Sequence, residues 1–453
     1  MERAPGRPNT SRFSFSWSWR RIIWQVLPIA AIALGAFLLA RGPGNGEGTT
    51  SPSARVDPQY EQRLAANIDF FETRVQETHD SLSYNRLVTL YLSRLRLHGD
   101  TSDVVRAELA ATKSLEAAPN AYSSIISMAL VRLAQHDFDE VLSLAQRAHD
   151  LRPDDPAALA ISGDANMALG RYAEAGDDYG NYLDKAAGFS AFSRKATYEE
   201  AVGNIAIAEQ FWNAAIDSTR LESPIDSAWA RVQLGTLLGK NGDLNGAQSE
   251  FDMALKVYPG YTLADAGLAQ LAAMRGDFDQ SLERFARVMA AYPSPIYVAE
   301  YAEVAQRAGK TAIAGQQAAL MGALGQLFEA NGIKNDLTLI LFQLDHAPVD
   351  DALVTSAEAA YNARPSLAAA DTYAWALYRA GRFDEAAKYA GEALRLGTKE
   401  PLYLFHAGMI AKARGDSTTA REDLQAALDL NPNFHPLHAP EAGQTLKDLG
   451  GAR

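Results

Sequence analysis

Eight histidines and no cysteine set narrow limits on the chemistry open to this chain. Without a thiol there is no zinc-thiolate site, iron–sulfur centre, disulfide frame or thiol nucleophile. His435 and His438 stand three residues apart in the Pro-rich stretch NFHPLHAP. Two imidazoles at that spacing could share a metal ion, but the neighbourhood offers no further ligands, so ordinary surface histidines are expected. His406 lies in a helical pattern and reads as a packed or groove residue. Asp154 and Asp155 in RPDDPA could be an acid–base pair, although helix capping accounts for them. The phosphate-cradling G-x-x-x-x-G-K-[ST], a G-x-G-x-x-G after a strand, H-E-x-x-H and G-x-S-x-G do not occur. The chain is therefore expected to be no enzyme, with no catalytic residue, metal, cofactor or small-molecule substrate.

What remains is a surface, and the elements that would shape it. Of the 453 residues, 47% are apolar and 21% charged, which suits a folded chain rather than a disordered one. The net charge of −13 is unevenly placed. Residues 1–41 hold six arginines against one glutamate, +5, leaving −18 for the rest. An acidic body without Lys/Arg clusters excludes nucleic acid as an expected partner.

Ile22 to Ala40, IIWQVLPIAAIALGAFLLA, is an apolar run of nineteen residues, about 28 Å of helix against a hydrocarbon core of roughly 30 Å. Arg3, Arg7, Arg12, Arg20 and Arg21 precede it, and Trp17, Trp19 and Trp24 stand at headgroup level. The charge bias puts the amino terminus in the cytoplasm and the body across an inner or plasma membrane. A cleaved signal, with secretion of the body, is the alternative. The expected divisions are a basic segment 1–21, a signal anchor 22–40, a Gly/Pro/Ser-rich linker 41–58, a repetitive body 59–440 and a cap or tail 441–453.

The body repeats. GDLNGAQSEFDMALKVYPGY at 242 returns at 276 as GDFDQSLERFARVMAAYPSP and at 415 as GDSTTAREDLQAALDLNPNF. Turn glycines are expected at Gly170, Gly203, Gly242, Gly276, Gly309, Gly381 and Gly415, most of them 33 or 34 residues apart, with His136 in the same place one unit earlier. Each would end a first helix in a left-handed cap, Asp243, Asp277 and Asp416 would cap the second, and Pro259, Pro293 and Pro432 would stop it. With Leu234-Gly235, Leu244, Ala247, Phe251, Ala254 and Pro259 in one unit, and Gly163, Tyr172, Ala175 and Tyr179 in another, the chain resembles the tetratricopeptide repeat family over roughly 85–440. The resemblance implies an all-α, right-handed α-solenoid of eight or nine helical pairs, irregular around 311–365, behind a single transmembrane helix.

The same resemblance implies a concave groove, lined by first helices, that receives proteins or peptide segments. By the family's pattern Trp229, Leu263, Gln270 and Met274 would face inward in the middle, and Trp375, Tyr378, Arg379, Phe405, Met409 and Lys412 near the carboxy terminus. The clamp that some members use for acidic peptide tails is missing, because its positions hold Ile126, Ala160, Ser193, Val232, Ala266, Asp371 and Phe405. A neutral, basic or apolar segment would suit this groove better. The expected function is a non-enzymatic, membrane-anchored scaffold or adaptor at the outer face of the inner membrane. A chaperone or assembly factor for a secretion, pilus or cell-wall machine is the alternative.

Overall fold

A computed structural model describes residues 58–98, 102–219, 224–330 and 336–450. The expected basic segment, the membrane anchor and nearly all of the linker lie outside the described residues. Among the described residues no helix is long and apolar enough to cross a membrane.

Among the described residues all the regular structure is helical. A leading helix α1 (Pro58–Thr78) precedes α2 (Ser81–His98) and α3 (Ser102–Ala117), then α4 (Tyr122–Ala134) and α5 (Phe138–Leu151). There follow α6 (Ala157–Ala168) and α7 (Tyr172–Lys185), α8 (Phe189–Ala201) and α9 (Ile205–Ser218), α10 (Pro224–Lys240) and α11 (Leu244–Val257). The series continues with α12 (Thr262–Met274) and α13 (Phe278–Ala291), α14 (Pro295–Arg307) and α15 (Thr311–Ala330), α16 (Leu337–His346) and α17 (Asp351–Ala363). It ends with α18 (Leu367–Arg379) and α19 (Phe383–Leu394), α20 (Pro401–Ala413) and α21 (Ser417–Leu430), and a closing helix α22 (His438–Gly450).

The described residues thus hold ten hairpins between two single helices, where eight or nine were expected. The difference lies mainly in 311–365. There α15 is stretched to twenty residues, while Asp336 and Asp350 accept from the Leu339 and Leu353 amides and start two further short helices. Two caps make two helices, so the segment completes one unit and contains another. The closing helix also begins at His438, ahead of the expected boundary at 441.

Eight of the ten hairpins turn by one device. All seven expected turn glycines have positive φ, between 71° and 84°, and His136 joins them at 61°. The left-handed residue lets the next amide reach back five residues, as Asp243 N–H does to the Leu238 carbonyl at 2.9 Å. The same bond recurs from Asp277 to Ala272 and from Asp416 to Ala411, satisfying carbonyls a helix end would otherwise leave open. Asp243, Asp277 and Asp416 then accept from the amides of Gly246, Gln280 and Thr419 and start the second helix. Within the hairpin Ala247 and Ala254 are wholly buried. The Phe251 ring fits between helices because Gly235 and Gly267 lack a Cβ; one built there would stand 2.7 and 2.4 Å from the ring.

The solenoid closes on itself. The turn at Gly170 meets Pro365, the turn at Gly203 meets Gly397 and the turn at Gly242 meets Leu430. Hydrogen bonds cross the same seam over 195, 197 and 192 residues: Leu367 N–H to the Tyr172 hydroxyl, the Thr398 hydroxyl to the Ala201 carbonyl, and the Asn431 amide to the Gly239 carbonyl. Lys240 ties the same turns through Glu200 (3.5 Å) and Glu400 (2.9 Å). One superhelical turn therefore takes between five and six units. Tyr60 of α1 likewise packs edge-on against Tyr258, 6.4 Å between ring centroids.

Candidate functional site

Among the described residues two concavities stand out. Each is assembled from residues that are distant in sequence.

The first is an open groove of about 610 Å³. First helices α8, α10 and α12 supply Phe189, Trp229 and Leu263, the residue before α12 supplies Tyr261, and the end of second helix α13 supplies Tyr292. Tyr60 and Arg96 enter from α1 and α2. The rings brace one another: Trp229 stands edge-on to Trp212 at 5.5 Å and to Phe189 at 6.0 Å. Arg194 forks onto Asp164 with bonds of 2.8 and 2.7 Å, so that pair is internally satisfied. Burial pushes the Tyr261 phenol above its ordinary range despite Arg96 nearby. The groove presents apolar rings, hydroxyls, the Arg194–Asp164 pair, and one further charge of each sign, Arg96 and Asp226.

The second is a chamber of about 450 Å³. Helices α10, α12, α14 and α16 form one wall, and the start of α20 with residues 431–436 of the next turn forms the other. Its surface is mostly apolar, with Leu271, Met274, Phe342 and Phe434 prominent. Its charges are nearly all paired: Lys240 to Glu400, His435 Nε2 to Glu303 at 3.0 Å, and His438 Nε2 to Asp345 at 3.3 Å. The Trp375 indole N–H also donates to Asp345, at 2.8 Å. Burial alone would raise the Glu303 carboxyl, but His435 and His346 outweigh it and hold the group well below the carboxylate range. Burial opposes charge on His438 too, yet hydrogen bonds to Asp345 and Glu441 push its pKa up to about 9.

The ten inward positions expected from the repeat pattern fall into three places. Trp229 and Leu263 line the groove, and Gln270 and Met274 line the chamber. Trp375, Phe405 and Met409 are buried, so they present no surface to a partner. The reason is α22: His438 stacks on Phe405 at 4.6 Å, and Thr445 reaches the Met409 sulfur. Tyr378 is half-buried and stacks on Trp375 at 4.7 Å. Arg379 donates to the Leu344 carbonyl, and the exposed Lys412 reaches the Thr445 hydroxyl at 3.4 Å.

His435 and His438 are not the surface residues expected, because the superhelix folds them onto Glu303 and Asp345. His406 is fully buried, its Nδ1 3.0 Å from both Asp371 oxygens. Among the described residues no group of three or more His, Asp or Glu is arranged to hold a metal ion. Tyr60, Tyr261, Tyr292, Glu300 and Phe434 were missed from sequence. Four of them leave no trace in the pattern of inward helix faces. The available signals were Tyr261 and Tyr292, close to Pro259 and Pro293, and the place of Glu300 on first helix α14.

The tetratricopeptide repeat family profile matches residues 126–191, 232–295 and 373–433. Those three stretches are tetratricopeptide repeats. No curated protein matches it. Among solved structures, yeast Tom70 is 12% identical, with 94% of this chain and 96% of that one covered and a TM-score of 0.37. Human IFIT1, solved as a dimer with PPP-AAAA, is 17% identical over 82% and 80%, TM-score 0.39. YrrB, described as a TPR protein with an unusual peptide-binding site, is 20% identical over 44% of this repeat chain and 98% of its own, TM-score 0.30.

Proposed function

We propose that this repeat protein is a non-enzymatic scaffold that holds a peptide segment of a partner protein in the tyrosine-lined groove. The groove itself carries the reading. It is open, about 610 Å³, and offers Tyr60, Trp229, Tyr261, Leu263 and Tyr292 from distant parts of the chain. Large rings with a polar tip give much contact area for little conformational entropy. With Arg194 spent on Asp164, and Asp226 in the lining to offset Arg96, the groove has no net positive charge and favours an apolar or aromatic segment over an acidic one. The scaffold is hung from a membrane by residues 22–40, on the strength of their length, their apolar character and the arginines before them. The body then lies on the side opposite the amino terminus, the outer face of an inner membrane.

A photoreactive phenylalanine analogue in place of Leu263, in the full-length protein in its host, tests the groove. A discrete cross-linked protein is expected, and it should fade when Tyr292 is also replaced by alanine. The same probe at exposed Leu109 serves as background; equal labelling from both positions would defeat the proposal. Membrane anchoring is tested separately. Alkaline carbonate should leave the full chain in the membrane pellet and release a chain lacking 22–40, and release of both would remove the anchor from the reading.

A further inference from the structure

The chamber between the superhelical turns shares no lining residue with the groove, and its chemistry goes beyond protein binding. At about 450 Å³ it has the size of a small-molecule site, and a mostly apolar wall with a few convergent polar groups has the character of one. Its charges do not balance. Lys240 is held by Glu400 and Glu200, His435 by Glu303, and Asp345 by His438 and the Trp375 indole. Glu300 is the exception. Its two oxygens accept from the Gln270 amide at 2.8 and 2.9 Å, and among the described residues no cation lies at ion-pair distance from it. A carboxylate has about four acceptor sites, so the Gln270 amide leaves some free.

We infer that this chamber is a binding site for a small amine on an apolar body, with the ammonium seated on Glu300 and the body against Met274, Leu341, Phe342 and Phe434. A carboxylate of the same shape would give up its hydration and find no free cation in the chamber. A neutral alcohol would gain the apolar contacts alone. The sequence suggested no small ligand because the chamber exists only where two turns of the solenoid meet.

Burial raises the Glu300 pKa to about 8, with Gln270 opposing the rise and Glu303 adding to it. Glu300 is thus mostly protonated at neutral pH, and seating an ammonium must expel that proton. Below pH 8 the amine's affinity then rises with pH, approaching tenfold per pH unit, because the charged form of Glu300 is the competent one. The groups facing Glu300 are Gln270 from α12, Tyr297 and Glu303 from its own helix, and across the chamber Lys240, Asp345, Glu400 and His435.

The test is calorimetry on the purified full-length chain with 4-phenylbutylamine, 4-phenylbutanol and 4-phenylbutanoate as matched probes. The amine should bind at least tenfold more tightly than the alcohol and the acid not at all. Titration in buffers of different ionisation enthalpy should show about one proton released per amine at pH 7. Glu300→Gln removes the charge while keeping shape, so it should cost the amine at least tenfold, leave the alcohol unchanged and abolish the pH slope. Met274→Trp should fill the chamber and exclude all three probes. Equal binding of amine and alcohol, full amine affinity in Glu300→Gln, or no binding of any probe would each overturn the inference. A pH slope that survives Glu300→Gln would assign it to the His435–Glu303 pair and overturn the role of Glu300.

Discussion

Seven turn glycines share one backbone conformation, yet they do two different jobs. Gly170, Gly203 and Gly242 lie in the seam: a Cβ there would stand 2.2, 2.2 and 2.7 Å from the carbonyl oxygens of Pro365, Gly397 and Leu430. Gly276, Gly309, Gly381 and Gly415 have nothing within 4 Å of that position. The first group is constrained by φ and by the next turn of the solenoid, the second by φ alone. The family pattern shows one glycine at one place. What that glycine is worth depends on whether the superhelix brings another loop against it.

Alanine at both kinds of site measures the difference. Gly203→Ala should cost about 1–2 kcal/mol for the left-handed backbone and a further 1–3 kcal/mol for displacing the loop at Gly397. Gly276→Ala should cost only the first amount. Equal losses in urea unfolding would mean the seam opens freely in solution. The next largest effect is expected on the carboxy-terminal side of the chamber. His438 has its pKa raised to about 9 from an ordinary 6.5, so its stabilisation is complete below pH 6.5 and lost as pH rises through 9. The loss amounts to roughly 3 kcal/mol, and hydrogen exchange should locate it in α20–α22. Glu300, also raised, adds a decline of the same sign over about pH 4.5–8, but its effect should appear at α14.

Asn431→Ala is expected to cost about 1–3 kcal/mol, since it removes a buried 2.9 Å bond across the seam and leaves the Gly239 carbonyl without its side-chain donor. Protection at the Gly242 turn should fall while that at the Gly276 turn stays unchanged. Smallest of all is the helix cap, a local bond whose value should ignore the seam. Asp243→Ala and Asp277→Ala should each cost about 1 kcal/mol; a twofold or larger gap in unfolding free energy would show that the seam reaches into the caps.

Much of the fold was legible because its causes are local. The glycine turns, the aspartate caps and the small residues Ala247 and Ala254 each act within one hairpin, and they occupy the places the pattern assigned them. The segment 311–365 was harder to read because Asn335 and Val349, not a turn glycine, precede its caps Asp336 and Asp350. The site was legible only in part. Helical register sufficed to turn Trp229, Leu263, Gln270 and Met274 inward, but it carries no information on what then covers an inward face. Trp375 and Phe405 have the same register and are sealed under His438.

Local sequence alone determined the helices, their ends and the repeating hairpin, since each depends on bonds between residues a few positions apart. The tertiary structure decided which inward faces remain open, which glycines lie in a seam, and that Glu303 and Asp345 meet histidines more than ninety residues away. Those outcomes depend on the small rotation from each unit to the next. Summed over five to six units it sets the pitch, and no single repeat encodes that sum.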